Sequence, residues 1–167
     1  MAVNRGKQFE QEVRHQLMGI KGVSIDRAYD FTSHQKGIAY GWDFFVYKYP
    51  CMLYLECKTV NKGTFPLNRL TPSQIGQLPV KGKLEGVNAG ILLWFIENNK
   101  TFYVPIDIVM WHLNRGNKSI ACADLVSGDI FAIEVEGTQR RGGTYYNYDF
   151  EKLLDDLRRY QQGDYRG

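Results

Sequence analysis

The stretch GWDFFVYKYPCMLYLECK, residues 41–58, is dense in aromatic and aliphatic side chains and is broken once, at Tyr49-Pro50. Runs of this kind bounded by a turn read as strands, so the sequence predicts strands over 42–48 and 51–58, folded back on each other. Successive side chains in a strand alternate between faces. Cys51, Leu53, Leu55 and Cys57 therefore share one face, and Met52, Tyr54, Glu56 and Lys58 share the other. The turn lies midway between Asp43 and Glu56, so antiparallel pairing brings the two acids together at one end of a sheet with Lys58 beside them.

The remaining pattern supplies helices for that sheet. Phe9, Val13, Leu17 and Ile20 recur at helical spacing over 5–20, with Asn4 as N-cap. Residues 21–41 are less regular, and DFTSHQKGIAYG, residues 30–41, reads as a loop or weak strand. Thr71-Pro72 reads as a helix start, with proline in the first turn. The apolar segment 90–97 and the segment 101–105 read as strands joined through Asn98-Asn99, followed by a helix over 106–113. SIACADLV and DIFAIEVE, residues 119–126 and 129–136, read as two strands around Ser127-Gly128, and GTQRRGGTYYN, from 137, as a basic, aromatic loop. Phe150, Leu153, Leu154 and Leu157 mark a last amphipathic helix over 149–161. The expectation is an α/β (α+β) fold with a central mixed sheet flanked by helices. A single domain over 1–167 is expected, with a core over about 5–113 and residues 119–161 packed on it.

Length and composition agree with that reading. The chain has 167 residues, of which 44% are hydrophobic and 23% charged, enough for one domain with a buried core. The formal charge of +3 leans mildly toward polyanionic partners. Cys51, Cys57 and Cys122 lack zinc-ligand or redox spacing, so reduced thiols and a cytoplasmic setting are expected. The N-terminal residues form no apolar signal core, and GILLWFI at 90–96 is too short to span a bilayer. No membrane partner is expected.

Two arrangements account for Asp43, Glu56 and Lys58 taken alone. One is a surface ion pair between Glu56 and Lys58 with Asp43 as a turn residue. The other is a site for a hard divalent cation, since Mg²⁺ takes one or two carboxylates with water and phosphate oxygens. In the second case the lysine suits an attacking water or a charged transition state rather than the metal.

The flanking segments bear on the choice. Asp43 followed by Glu56-Cys57-Lys58 resembles the active-site motif of the PD-(D/E)xK nuclease superfamily, and its surroundings resemble the Holliday-junction resolving enzymes of the RecU and archaeal Hjc types. NRGKQFEQEV is similar to their first helix. KTVNKGTFPLNRLTPSQIGQL is similar to the RecU segment that runs through a Phe-Pro-Leu turn to a helix bearing a glutamine, and GILLWFIENNKTFYVPID to the strand pair that follows. The likeness covers roughly the first two thirds of the chain. Trp42 stands where the superfamily's name has proline, and Gly41 where RecU-type proteins have threonine.

The resemblance implies a restriction-endonuclease-like core and roles for particular residues. Asp43 and Glu56 would bind Mg²⁺, with Mn²⁺ substituting, joined by the Cys57 main-chain carbonyl. Lys58 would orient water and stabilise the transition state, and Glu10 would complete the acidic cluster. Gln74 would hold a metal-bound water or ligand, and Ser33 (or Thr32) would lie near the scissile phosphate. Arg5, Lys7, Lys36, Lys62 and Arg69 would meet DNA. The implied function is structure-selective, metal-dependent cleavage of four-way DNA junctions by paired nicks. The implied assembly is a homodimer, and the implied source is phage or prokaryotic. The alternatives on the same motif are a restriction-type or repair endonuclease, or a non-catalytic DNA-binding module. The tyrosines Tyr145, Tyr146 and Tyr148 beside Arg140-Arg141 either stack on bases or form a packed edge.

Overall fold

The computed structural model describes residues 4–28, 39–141 and 146–164. Helix α1 (Arg5–Met18) starts where the Asn4 side chain accepts a hydrogen bond from the Lys7 amide and buries Phe9, Val13 and Leu17. Strand β1 (Ser24–Arg27) follows. Strands β2 (Phe44–Lys48) and β3 (Cys51–Val60) form an antiparallel hairpin with Phe44 opposite Leu55 and Lys48 opposite Cys51. A short strand β4 (Thr64–Pro66) and one 3-10 turn lead to helix α2 (Pro72–Gly82). Its start carries a reciprocal cap: Thr71 Oγ1 accepts from the Gln74 amide, and Gln74 Oε1 accepts from the Thr71 amide.

This helix is the crossover that lets β3 pair in parallel with β5 (Val87–Phe95), because parallel neighbours need a long connection. β5 is apolar almost throughout because both its faces are covered. Ile91, Leu93 and Phe95 join one buried cluster, and Leu92 and Trp94 join the other. Strand β6 (Lys100–Pro105) runs back antiparallel to it. Helix α3 (Ile106–Asn114), strand β7 (Ser119–Ala121) and helix α4 (Cys122–Ser127) come next. Strands β8 (Ile133–Glu134), β9 (Gly137–Gln139) and β10 (Tyr146–Tyr148) and helix α5 (Phe150–Gln161) complete the order. The main sheet is mixed, in the order β1-β2-β3-β5-β6-β8. One cluster unites its residues with α1 and α5, the other with α2, α3 and α4, so helices flank both faces.

Three expectations need correction. Residues 122–127 are helical instead of extended. Gly128, at φ 82°, supplies the left-handed conformation that ends a helix. The expected strand over 129–136 shrinks to Ile133–Glu134. The expected loop from 137 contains an antiparallel pair, β9 with β10. Gln16 of α1 grips β10 from both sides, donating to Tyr146 O at 2.9 Å and accepting from the Tyr148 amide at 2.8 Å.

Candidate active site

The hairpin β2–β3 positions the acids. Phe44 pairs with Leu55, and the Asp43 amide continues the ladder by donating to Leu55 O at 2.9 Å. That register sets Asp43 across from Glu56. Asp43 Oδ2 accepts from the Cys57 main-chain N–H at 2.8 Å, which fixes the carboxylate against β3 beside Glu56. The Cys57 thiol faces the other way, into the cluster with α1 and α5.

Glu56 is only 4% exposed. Its Oε1 accepts from Lys58 Nζ at 2.7 Å and from Gln74 Nε2 at 2.6 Å. Burial raises its pKa to about 8; the neighbouring Asp43 charge adds to the rise and Lys58 opposes it. Gln74 is engaged at both ends of its amide, to Thr71 and to Glu56. It therefore reaches the acid cluster through Glu56, and the capping box of α2 is what aims it. Glu10 of α1 lies within electrostatic reach of Asp43: burial and then that charge raise its pKa, while Arg27 lowers it. Arg27 Nη2 donates to Glu10 Oε2 at 3.0 Å.

The structure thus brings Glu10, Asp43, Glu56, Lys58 and Gln74 together. A cleft of about 390 Å³ opens beside them, lined by Arg27, Tyr40, Trp42, Asp43, Glu56 and Gln74 among others. Its aromatic wall is tightly built: Trp42 meets the edge of Tyr54 at 4.7 Å between centroids, and Lys81 lies over both rings. The backbone that leads into Asp43 is pinned to α2 by Gln77, which accepts from the Gly41 amide and donates to Ala39 O. Gly41 has no room for a side chain, because a Cβ there would stand 2.6 Å from Ser73 O. That contact gives a physical reason for glycine at this position.

The basic residues fall into separate places. Arg5, Lys62 and Arg69 line a single groove with Asn4, Thr59 and Val60, next along β3 from Lys58. Arg69 also donates to Thr59 O at 2.7 Å. Lys7 lies near enough to Glu10 to lower its pKa. Ser33, Thr32, Lys36 and Tyr145 lie outside the described residues. Tyr146 and Tyr148 pack against the cluster of α1 and α5, and Arg140 pairs with Glu12 at 2.7 Å. Those two tyrosines therefore belong to a packed edge. Arg27 and Gln77 were not singled out from sequence for this site, and Trp42 only as the residue in place of the motif's proline. An arginine at the end of a short strand and a glutamine one turn beyond Gln74 carry no local signal; only the tertiary pairing marks them.

Among the described residues, no three or more His, Cys, Asp and Glu side chains form a group able to hold a metal ion by themselves. The hairpin offers instead a pair of carboxylates, Asp43 and Glu56, with Lys58 against one of them. Two carboxylates with the remaining positions left to water and phosphate is the pattern Mg²⁺ takes in phosphate-handling sites.

No protein-family model and no curated protein matches the sequence. Among solved structures, the chain is similar to Hjc of Archaeoglobus fulgidus, a Holliday junction resolvase from an archaeal hyperthermophile. The match has a TM-score of 0.53 at 17% sequence identity, and it covers 77% of this chain and 95% of that one. The central mixed sheet with flanking helices is thus a fold shared with that protein.

Proposed function

We propose that this chain is a structure-selective endodeoxyribonuclease that resolves four-way DNA junctions by metal-dependent phosphodiester hydrolysis. The observation that carries the reading is the meeting of Asp43, Glu56 and Lys58 at one end of the β2–β3 hairpin, beside an open cleft. The resolvase-like fold supports it.

Asp43 and Glu56 would hold Mg²⁺, which supplies charge neutralisation and acidified water when bound. Asp43 is kept in position by the Cys57 amide and Glu56 by Gln74. Gln74 is therefore a positioning residue. Lys58 Nζ, held 2.7 Å from Glu56 Oε1, orients the attacking water and stabilises negative charge on the phosphate as it develops. Glu10 completes the acidic side, and Arg27, its ion-pair partner, meets a phosphate when DNA enters the cleft. Arg5, Lys62 and Arg69 continue the path along the backbone, and Lys7, Lys36 and Ser33 belong to the same reading. Paired nicks on opposed strands need two such sites, which a two-fold homodimer provides.

The test compares a labelled four-way junction with linear duplex of the same sequence, in Mg²⁺ and in chelator. Paired, symmetric nicks in the junction alone, lost in chelator, are the expected result. Cutting of the linear duplex at a fixed sequence would make the chain a restriction-type enzyme. No cutting of either DNA would leave a binding module.

A further inference from the structure

A second cavity, of about 710 Å³, shares no lining residue with the candidate active site. It opens where the end of α2, the start of β5, helix α3 and the end of α5 meet, and its size is that of a small-molecule site. Its apolar wall includes Leu84, Ile106, Met110 and Trp111. Trp111 is half exposed and carries the Arg115 guanidinium 4.1 Å from its ring centroid.

The polar groups of this cavity are unusual. Asn88 is the one polar side chain in the nine residues of β5, where a branched aliphatic residue would pack better. It is 6% exposed, and its Nδ2 is buried without a hydrogen-bond partner among the described residues. Gln161 lines the same cavity. Its Oε1 accepts from the Cys51 thiol at 2.9 Å, but its Nε2 is likewise buried without a partner. Buried polar groups in folded proteins are nearly always paired, so two amide donors left over in one cavity point to an absent acceptor. Acceptors are also present: Asp107 takes a long hydrogen bond from Tyr160, at 3.4 Å, and Glu85 stands in the lining. Against these two acids the lining sets one cation, Lys83, which disfavours an anionic ligand.

An uncharged planar ring whose edge carries both acceptors and donors meets all of these groups. We propose that this cavity binds a nucleobase, with the carboxamides of Asn88 and Gln161 on the base edge and the apolar wall against its ring. Asparagine and glutamine amides pair with base edges in this way. The same chemistry is offered by a free nucleoside and by an unpaired base in a strand.

The test is calorimetric titration of the full chain, without added metal, with adenosine, guanosine, cytidine and thymidine. Saturable binding of at least one nucleoside is expected, weakened roughly tenfold or more by Asn88→Leu and by the surface change Trp111→Ala. Asn88→Leu is also expected to raise the thermal midpoint of the free protein, since an apolar group of similar shape replaces an unpaired amide. A single-stranded trinucleotide that competes with the nucleoside identifies a base within a strand as a ligand, and one that does not compete identifies the free nucleoside. Either result sustains the site. Absence of saturable binding by every nucleoside and by the trinucleotide overturns it, as does binding unchanged by Asn88→Leu. Asp43→Asn is expected to bind nucleoside like the parent, so the outcome does not depend on the nuclease reading.

Discussion

Glu56 concentrates the energetics of the site in one side chain. Its carboxyl is buried, faces Asp43, and titrates at about 8 against an ordinary value of 4.5. Between those values the folded protein keeps a proton that the unfolded chain has released. Stability from this group is therefore complete below the lower value and falls as pH rises through the upper one. The slope reaches about 1.4 kcal/mol per pH unit, and Glu10, also raised, adds to it in the same direction. Denaturant unfolding at pH 5 and pH 8 should show a clear loss in the parent and a flatter profile in Glu56→Gln; equal losses in both would remove Glu56 as the source. Mg²⁺ at pH 8 should restore stability to the parent, because metal binds the deprotonated carboxylate. Gly41 sets a steric limit beside the same cluster. A Cβ at 2.6 Å from Ser73 O forces the backbone of 39–41 away from α2, so Gly41→Ala should cost about 1–3 kcal/mol in the same unfolding experiment.

Helix α2 sets the geometry of the site from outside it. Gln74 closes the capping box and holds Glu56, and one turn later Gln77 holds the strand entry at Ala39 and Gly41. Thr71→Ala removes the cap and should lower stability by about 1 kcal/mol. It should also weaken Mg²⁺ binding, measured by calorimetry, since Gln74 loses its anchor; intact metal affinity would show that Gln74 is aimed by other contacts. The Thr71-Pro72 start was legible from residue chemistry alone, as were the Asn4 cap, the 42–58 hairpin and the final amphipathic helix, because each rests on local periodicity or capping. The segment around Cys122 was misread because six residues are too few to show a helical period. There the usable signal was Gly128 just past the helix end. The β9–β10 pair was illegible for a different reason. Its strands are three residues each, and what orders them is Gln16, 130 residues away in sequence. In the site, the convergence of Asp43, Glu56 and Lys58 was readable from strand alternation and turn position, whereas their reading as a metal site rather than a surface ion pair came from the resemblance. The pairing of Glu10 with Arg27 depends on how α1 lies against β1, which no spacing in the chain encodes.

At the scale of the molecule, the mild net charge of +3 hides a local asymmetry. Arg5 converges on one groove with Lys62 and Arg69 although it lies far from both in sequence. Three phosphate contacts there would contribute about −2.7 to the slope of log affinity against log salt on duplex arms. Replacing all three by glutamine should flatten the measured slope by about that amount while leaving the fold intact. An unchanged slope would put the DNA path elsewhere. The sheet itself explains why the site can be both rigid and open: β3 is paired on both sides, and both clusters pack against it, while the cleft opens at the open end of the β2–β3 hairpin, where Asp43 and Glu56 meet.

Single-turnover cleavage of a four-way junction by the parent, Asp43→Asn and Lys58→Ala proteins, each confirmed folded and each confirmed to bind the junction, tests the active-site assignment most directly. The expected result is binding retained in all three, with cleavage by both variants slowed by about 10²–10⁴-fold or more. Cleavage by either variant at close to the parental rate would contradict the assignment of this cluster as the active site.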